Sequence, residues 1–400
     1  MDFPLNVIIR LRLVNKPGAL ASVLDVIARE EGDLGGIDLV ASSPSYVDRE
    51  VGVRLGCQED LKNLRKSLDA LPGVQVVHVA DRVMLRHRRG KIEIKARREV
   101  ENREDLSLIY TPGVARVTEA IHQNPDSAYQ FTIKGNAVAI ITDGSAVLGL
   151  GNVGPLSALP VMEGKSVLFK KFAGIDAIPL CINAHSTQDI IDTVVACAPA
   201  FGGINLEDIA APGCFEVEEK LRGLLDVPVF HDDQHGTAIV TTAGLLNALR
   251  VVNKSIKQVR VVVSGAGAAG VAIVKMLIQM GVQDIVVCDS SGVISRDNPP
   301  QEPMKRWLME NTNQHSLSGS LKEVVAGADV FVGVSVPNLL DREDVLTMAD
   351  NPIVFAWPTP NLRLSQGKYM ILRVLLPRVD RISPTKLTTL WYSPVCFGVP

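Results

Sequence analysis

Residues 5–14, "LNVIIRLRLV", alternate apolar and polar side chains with the two-residue period of a strand. The following "NKPGALASVLDVIAREEG" (15–32) changes to helical spacing after a turn, with Leu20, Val23, Leu24 and Ile27 on one stripe. Strand-like "GGIDLVAS" and "YVDREVGVRL", helical "QEDLKNLRKSLDAL" and strand-like "GVQVVHVA" come next. This β-α-β-β-α-β order predicts a ferredoxin-like module. The charged run "RHRRGKIEIKARREVENRED" (86–105) reads as a solvated boundary. Beyond it, apolar runs end in glycine-rich or acidic turns, the grammar of an α/β protein.

The chain has 400 residues, enough for two or three domains. With 46% hydrophobic and 21% charged residues, it has the composition of an ordinary soluble globular protein. A net charge of -3 gives no electrostatic reason to expect nucleic acid or an anionic membrane. "MDFPLNVIIRLRLV" shows neither a signal peptide nor a membrane span, so a cytoplasmic location is expected. Six cysteines form no C-x-x-C pair and lie in apolar segments, as expected of buried thiols.

Candidate chemistry concentrates in the middle of the chain. "SLIYTPGVA" (107–115) places Tyr110 before a Pro-Gly turn. "AIITDGSAVLGLGNVG" (139–154) runs from an apolar strand into a glycine-rich loop. "LPVMEGKSVLFKKFAGIDAIPLCI" (159–182) sets Lys165 between apolar stretches. Two acidic pairs, Glu207–Asp208 and Asp232–Asp233, each follow an apolar run, at the carboxyl ends of buried strands where α/β sheets bind ligands. Carboxylates converging there need a cation or a proton. Oxygen ligands without cysteine favour Mg²⁺ or Mn²⁺ over zinc, despite His231 and His235 nearby.

"IKQVRVVVSGAGAAGVAIVKMLIQMGVQDIVVCDSSG" (256–292) is a strand, a glycine turn, a helix and a second strand. Gly265, Gly267 and Gly270 form G-x-G-x-x-G, and Asp289 ends the second strand. That spacing predicts a Rossmann dinucleotide site, with Asp289 on the adenine ribose favouring NAD over NADP. "LKEVVAGADVFVGVSVPNLL" (321–340) predicts a further helix and strand, then a loop at the cofactor edge.

The ordered motifs "SLIYTPGVA", "TDGSAVLGLGNVG", "EGKSVLFKKFAGIDAIPLCI", "EDIAAP" and "HDDQHGTA" resemble malic enzyme in its shorter bacterial form, over roughly residues 90–356. The resemblance implies oxidative decarboxylation of malate to pyruvate and CO₂, with Tyr110 as general acid and Lys165 as general base. It also implies metal ligands Glu207, Asp208 and Asp233, and a nicotinamide edge at Gly333 to Ser335. The longer animal-type enzymes carry a substrate-gripping arginine where this chain has Ala146, so that role does not transfer. The first module, with its "NKPGALA" turn, resembles the ACT domain. That resemblance implies a small effector such as an amino acid, held near Asn15 and Gly18, and at least a homodimer. The expected domains are 1–85 (ACT-like), 86–240 (catalytic), 241–356 (Rossmann, truncated) and 357–400 (aberrant).

After "PIVFA" the resemblance stops. The family's "ANP" loop and its G-R-S-D-x-P-N-Q-x-N-N segment, whose asparagines contact malate and nicotinamide, are missing from residues 357–400. In an alternate frame "AWPTPNLRL" can encode M-A-N-P-E-P-E-I. The same shift lets residues 375–400 encode a segment containing G-R-S-D-I-P-N-Q-V-N-N. A single-base frame slip near Ala356 explains both. Weak activity and poor stability are therefore expected of the chain as written. The competing classes are a non-catalytic effector- and dinucleotide-binding remnant, and another NAD-dependent dehydrogenase, which would not be expected to carry three metal carboxylates.

Overall fold

The computed structural model describes residues 4–147, 150–336, 339–357 and 372–374. One compact unit runs from the N-terminus to Lys91, and a second begins at Ile92.

The first unit follows the order read from its pattern: β1 (Leu5–Val14), α1 (Ala19–Arg29), β2 (Asp33–Ser42), β3 (Tyr46–Leu55), α2 (Gln58–Asp69) and β4 (Val74–Asp81). A short α3 (Arg82–His87) ends it. The strands form an antiparallel sheet in the order β2-β3-β1-β4. Val7, Ile9, Leu11 and Leu13 point from β1 into a core with Val23 and Ile27 of α1 and Leu64 and Leu68 of α2. Each such side chain contributes about 1.5–3 kcal/mol by leaving water. Arg12 on β1 donates from Nε and one Nη to both oxygens of Asp48 on β3, each at 2.8 Å. This fork also fixes the register of the two strands.

The second unit opens with α4 (Arg103–Ile109), α5 (Val114–Gln123) and α6 (Ser127–Phe131). A β/α series follows: β5 (Ala137–Thr142), α7 (Pro155–Ala173), β6 (Asp176–Cys181), α8 (Thr187–Cys197), β7 (Gly203–Leu206), α9 (Gly213–Leu224), β8 (Val229–His231) and α10 (Asp232–Val252). Its parallel sheet runs β6-β5-β7-β8, and β5 is buried along its whole length. Because β6 and β7 flank β5 on opposite sides, a crevice opens at its carboxyl end. The expected division at 240/241 falls inside α10, which packs against the first helix of the next series.

That series is β9 (Arg260–Ser264), α11 (Ala268–Gln279), β10 (Asp284–Asp289), β11 (Gly292–Val293), α12 (Pro303–Asn311), α13 (Leu321–Val325), β12 (Val330–Gly333), α14 (Arg342–Leu346), β13 (Ile353–Ala356) and β14 (Leu372–Val374). The sheet order β11-β10-β9-β12-β13-β14 has parallel pairing from β10 through β13 and antiparallel pairing at both edges. This is the Rossmann-type α/β arrangement. Most of the 357–400 tail lies outside the described residues. Trp357 packs against the core of this half, and the β14 backbone pairs with β13.

Gly265 has φ +122°, which an L side chain rarely adopts. A Cβ on Gly270 would collide with the Gly265 carbonyl, so helix and strand come together only because that residue has no side chain. Gly270→Ala is expected to destabilise the fold by about 1–3 kcal/mol. It should also weaken NAD binding, as read by thermal unfolding with and without NAD. An unchanged midpoint together with unchanged NAD binding would show that the turn tolerates the methyl group.

Candidate active site

Glu207 and Asp208 directly follow β7, while Asp232 and Asp233 directly follow β8 and open α10. Neighbouring parallel strands thus deliver both acidic pairs to one end of the sheet. One oxygen from each of Glu207, Asp208 and Asp233 lies within 4.8 Å of the others. Asp208 takes φ 53°, a left-handed conformation uncommon outside glycine. Its backbone N–H donates to Asp233 Oδ2 at 2.9 Å, tying the two strand ends together. Asn205 Nδ2 donates to Glu207 Oε2 at 3.0 Å and orients that carboxylate.

The loop after β5 braces the same site. Asp143 Oδ1 accepts from the Ser145 hydroxyl at 2.6 Å, and that hydroxyl accepts from the Ala210 N–H at 2.8 Å. The Ala146 N–H donates to the Asp208 carbonyl at 3.0 Å. The position of the missing arginine therefore supports a metal-site candidate through its backbone alone.

Lys165 rises from the middle of α7 into this cluster and is only 8% exposed. Its Nζ lies 2.6 Å from Asp232 Oδ2 and 2.9 Å from Glu207 Oε1. The sequence sets this lysine between apolar stretches; the structure adds two carboxylates. In the sequence Asp232 is only half of an acidic pair. Its link to Lys165 crosses 67 positions and leaves no signal in local spacing.

Burial drives the electrostatics. It pushes the Asp208 carboxyl up to about 7, with the Asp233 charge adding to the rise and Lys165 opposing it. Burial also raises Glu207, against the pull of Lys165, and Asp232 and Asp233 raise it further. Asp233, whose side chain keeps 38% of its surface open, is raised by burial against the pull of His231. A divalent cation fits this donor set. The three groups are hard oxygens, and Asp208 Oδ2 is buried without a hydrogen-bond partner among the described residues.

His231 and His235 do not join in a zinc site. His231 is fully buried, its Nε2 3.6 Å from Asp233, and its ring is held toward the neutral form by burial. His235 pairs with Glu218 at 2.6 Å. Tyr110 ends α4 with 67% of its surface exposed. Helix α5 packs mainly on α4 and α6.

In the other half, Gly267 caps α11, so the helix N-terminus faces the glycine turn. Ser335 follows β12, and its hydroxyl lies 3.1 Å from that of Ser264 at the end of β9. Asp289 ends β10 beside a cavity of about 260 Å³ lined also by Ser291, Asn298, Gln301 and Lys305. Its Oδ1 accepts from the Ser291 N–H and its Oδ2 from Lys305 Nζ, both at 2.8 Å. Burial works to raise this carboxyl, but Lys305 and the Ser291 N–H outweigh it and hold it below its usual range. Sequence reading missed Lys305, whose only signal was a lysine in the helix after Asp289.

Of the five cysteines among the described residues none is disulfide-bonded. Cys214 and Cys288 are buried, their thiols pushed up to about 12 chiefly by burial. Cys57, Cys181 and Cys197 are half-buried, less enclosed than the sequence suggested.

Residues 89–189 match the malic enzyme N-terminal domain and residues 234–365 the malic enzyme NAD-binding domain. An NAD-dependent malic enzyme of Geobacillus stearothermophilus is 49% identical over 356 residues, covering 89% of this chain and 74% of that one. The chain belongs to the malic enzyme family. A bifunctional malic/malolactic enzyme of Bacillus subtilis (strain 168) is 55% identical over 68% of this chain and 67% of its own length. The crystal structure of an NAD-dependent malic enzyme from Thermotoga maritima superposes with a TM-score of 0.69 at 46% identity, covering 70% of this chain and 75% of that one. In this chain no helix among the described residues is long and apolar enough to cross a membrane.

The raised carboxyls set a pH dependence. The unfolded chain releases these protons first, so their contribution to stability falls as pH rises from about 4 toward about 7. A cation favours the ionised forms and binds best above that window. Mn²⁺ is therefore expected to raise the unfolding midpoint more at pH 8 than at pH 5. An equal or larger rise at pH 5 would contradict this electrostatic account.

Proposed function

We propose that this chain catalyses NAD(P)-dependent oxidative decarboxylation of malate to pyruvate and CO₂. The observation that carries the proposal is Lys165 held against the Glu207–Asp208–Asp233 cluster, in a chain whose next segment is a Rossmann half.

Glu207, Asp208 and Asp233 would hold Mg²⁺ or Mn²⁺, and the glycine turn, Asp289 and Ser335 would hold the dinucleotide. When bound, the cation polarises the oxygen on malate C2, and the nicotinamide accepts the hydride from that carbon. Lys165 first passes a proton to Asp232, within hydrogen-bond reach of Nζ, and as the free amine then takes the proton of the C2 hydroxyl. After CO₂ leaves, the enol of pyruvate needs a proton at C3, which Tyr110 delivers or relays. Asp289 favours NAD by meeting the ribose hydroxyls and repelling a 2′-phosphate, and Lys305 moderates that repulsion.

The first unit is proposed to be an ACT-type sensor that takes a small effector with a carboxylate, such as an amino acid. Asn15 donates to the Ser43 carbonyl at 2.7 Å and holds the turn in which Gly18 adopts φ +88°. A cytoplasmic homodimer or larger assembly is part of the same reading. So is the frame slip near Ala356, which removes the asparagines expected to contact malate and nicotinamide.

The test is malate-dependent reduction of NAD and of NADP by the full chain with Mn²⁺. Turnover is expected to be slow, faster with NAD, and lowered at least ~100-fold by Lys165→Ala. Turnover that survives the substitution would remove Lys165 from the reaction. Fast turnover would contradict the view that the tail has lost substrate contacts.

A further inference from the structure

The first histidine of "HDDQHGTA" takes no part in the reaction above, yet its place is unusual. His231 is wholly buried at the end of β8, beside Leu206 in the parallel register, and occupies the N-cap of α10 without a side-chain cap. Neither ring nitrogen has a hydrogen-bond partner among the described residues. An apolar side chain would fill such a place with no unmet donor, whereas an enclosed N–H left unmet costs about 1–3 kcal/mol. Burial holds the ring toward its neutral form, which carries one N–H donor and one acceptor nitrogen.

That donor needs an acceptor, and the acids that bear on the ring are Glu218, Asp232 and Asp233. Glu218 is paired with His235 at 2.6 Å, and Asp232 with Lys165 at 2.6 Å. Asp233 is left, its Oδ2 3.6 Å from His231 Nε2. The gap is a few tenths of an ångström beyond hydrogen-bond reach. Asp233 keeps 38% of its side chain open, so its carboxylate has room to close that gap. The same oxygen already accepts from the Asp208 N–H at 2.9 Å, and a second donor there would stop the carboxylate from rotating away.

We propose that His231 is a positioning residue for the cation site: its Nε2–H donates to Asp233 Oδ2 and fixes that carboxylate beside Glu207 and Asp208. The proposal rests on the reading of these three acids as ligands. A neutral imidazole suits the place because it supplies a donor without a charge that competes with the cation. A bound water taking the N–H is the competing arrangement, and it would leave cation affinity indifferent to the ring.

Selective ¹⁵N-histidine labelling of the full chain reads the ring by nuclear magnetic resonance without metal or turnover. The expected ring is neutral and protonated at Nε2, with that proton shielded from solvent exchange and shifted when Mg²⁺ is added. The Nδ1–H tautomer would overturn the proposal, whether or not a cation binds. Mn²⁺ titration followed by electron paramagnetic resonance supplies the second arm, with folding verified by circular dichroism. His231→Leu, which removes the donor, is expected to bind Mn²⁺ at least ~10-fold more weakly than the parental chain. His231→Gln, whose Nε2 can stand in for that of the ring, should recover most of the loss. Equal binding by the parental chain and His231→Leu would end the positioning role while leaving the cation site intact. A loss that His231→Gln does not recover would show that the ring acts by shape, and would also overturn the proposal. A parental chain that binds no Mn²⁺ would instead refute the reading of the three acids, and with it the role of His231 as their support.

Discussion

The site depends on one ammonium. Four carboxylates, Glu207, Asp208, Asp232 and Asp233, gather at the ends of two adjacent strands, and Lys165 is the cation that reaches them from α7. Carboxylates crowded out of water cannot all ionise against each other with a single positive charge between them. Hence the acids of the trio are raised, and a buried oxygen of Asp208 stands without a hydrogen-bond partner among the described residues. A divalent cation among these oxygens would relieve the same imbalance. The imbalance also binds Lys165 to Asp232, the contact through which a proton can move.

Backbone architecture imposes this charge arrangement. Strands β7 and β8 are parallel neighbours, so residues directly after them must meet at one edge of the sheet. The left-handed turn at Asp208 and the Asp143–Ser145–Ala210 hydrogen-bond chain fix the direction of the first pair. The second pair is fixed because Asp232 and Asp233 open α10, the long helix that continues into the cofactor half. Metal-site candidates and the dinucleotide turn are thereby tied to a common rigid element.

Much of this was legible in the sequence because it is local. The β-α-β-β-α-β order of the first unit, the acidic pairs at strand ends and the G-x-G-x-x-G turn are all spacings within a few dozen residues. The structure places each on the expected element. What could not be read was non-local. Nothing near Lys165 announces Asp232, and nothing near Asp289 announces that Lys305, one helix later, neutralises it.

The central claim is that Glu207, Asp208 and Asp233 form one cation site balanced against Lys165. Electron paramagnetic resonance of free Mn²⁺ during titration of the purified chain tests it most directly, because it counts bound ions without turnover. The account predicts one saturable Mn²⁺ per chain at pH 8, lost or weakened at least ~10-fold by Asp208→Asn while the fold persists. No saturable binding by the folded chain, or binding undiminished in Asp208→Asn, would contradict it.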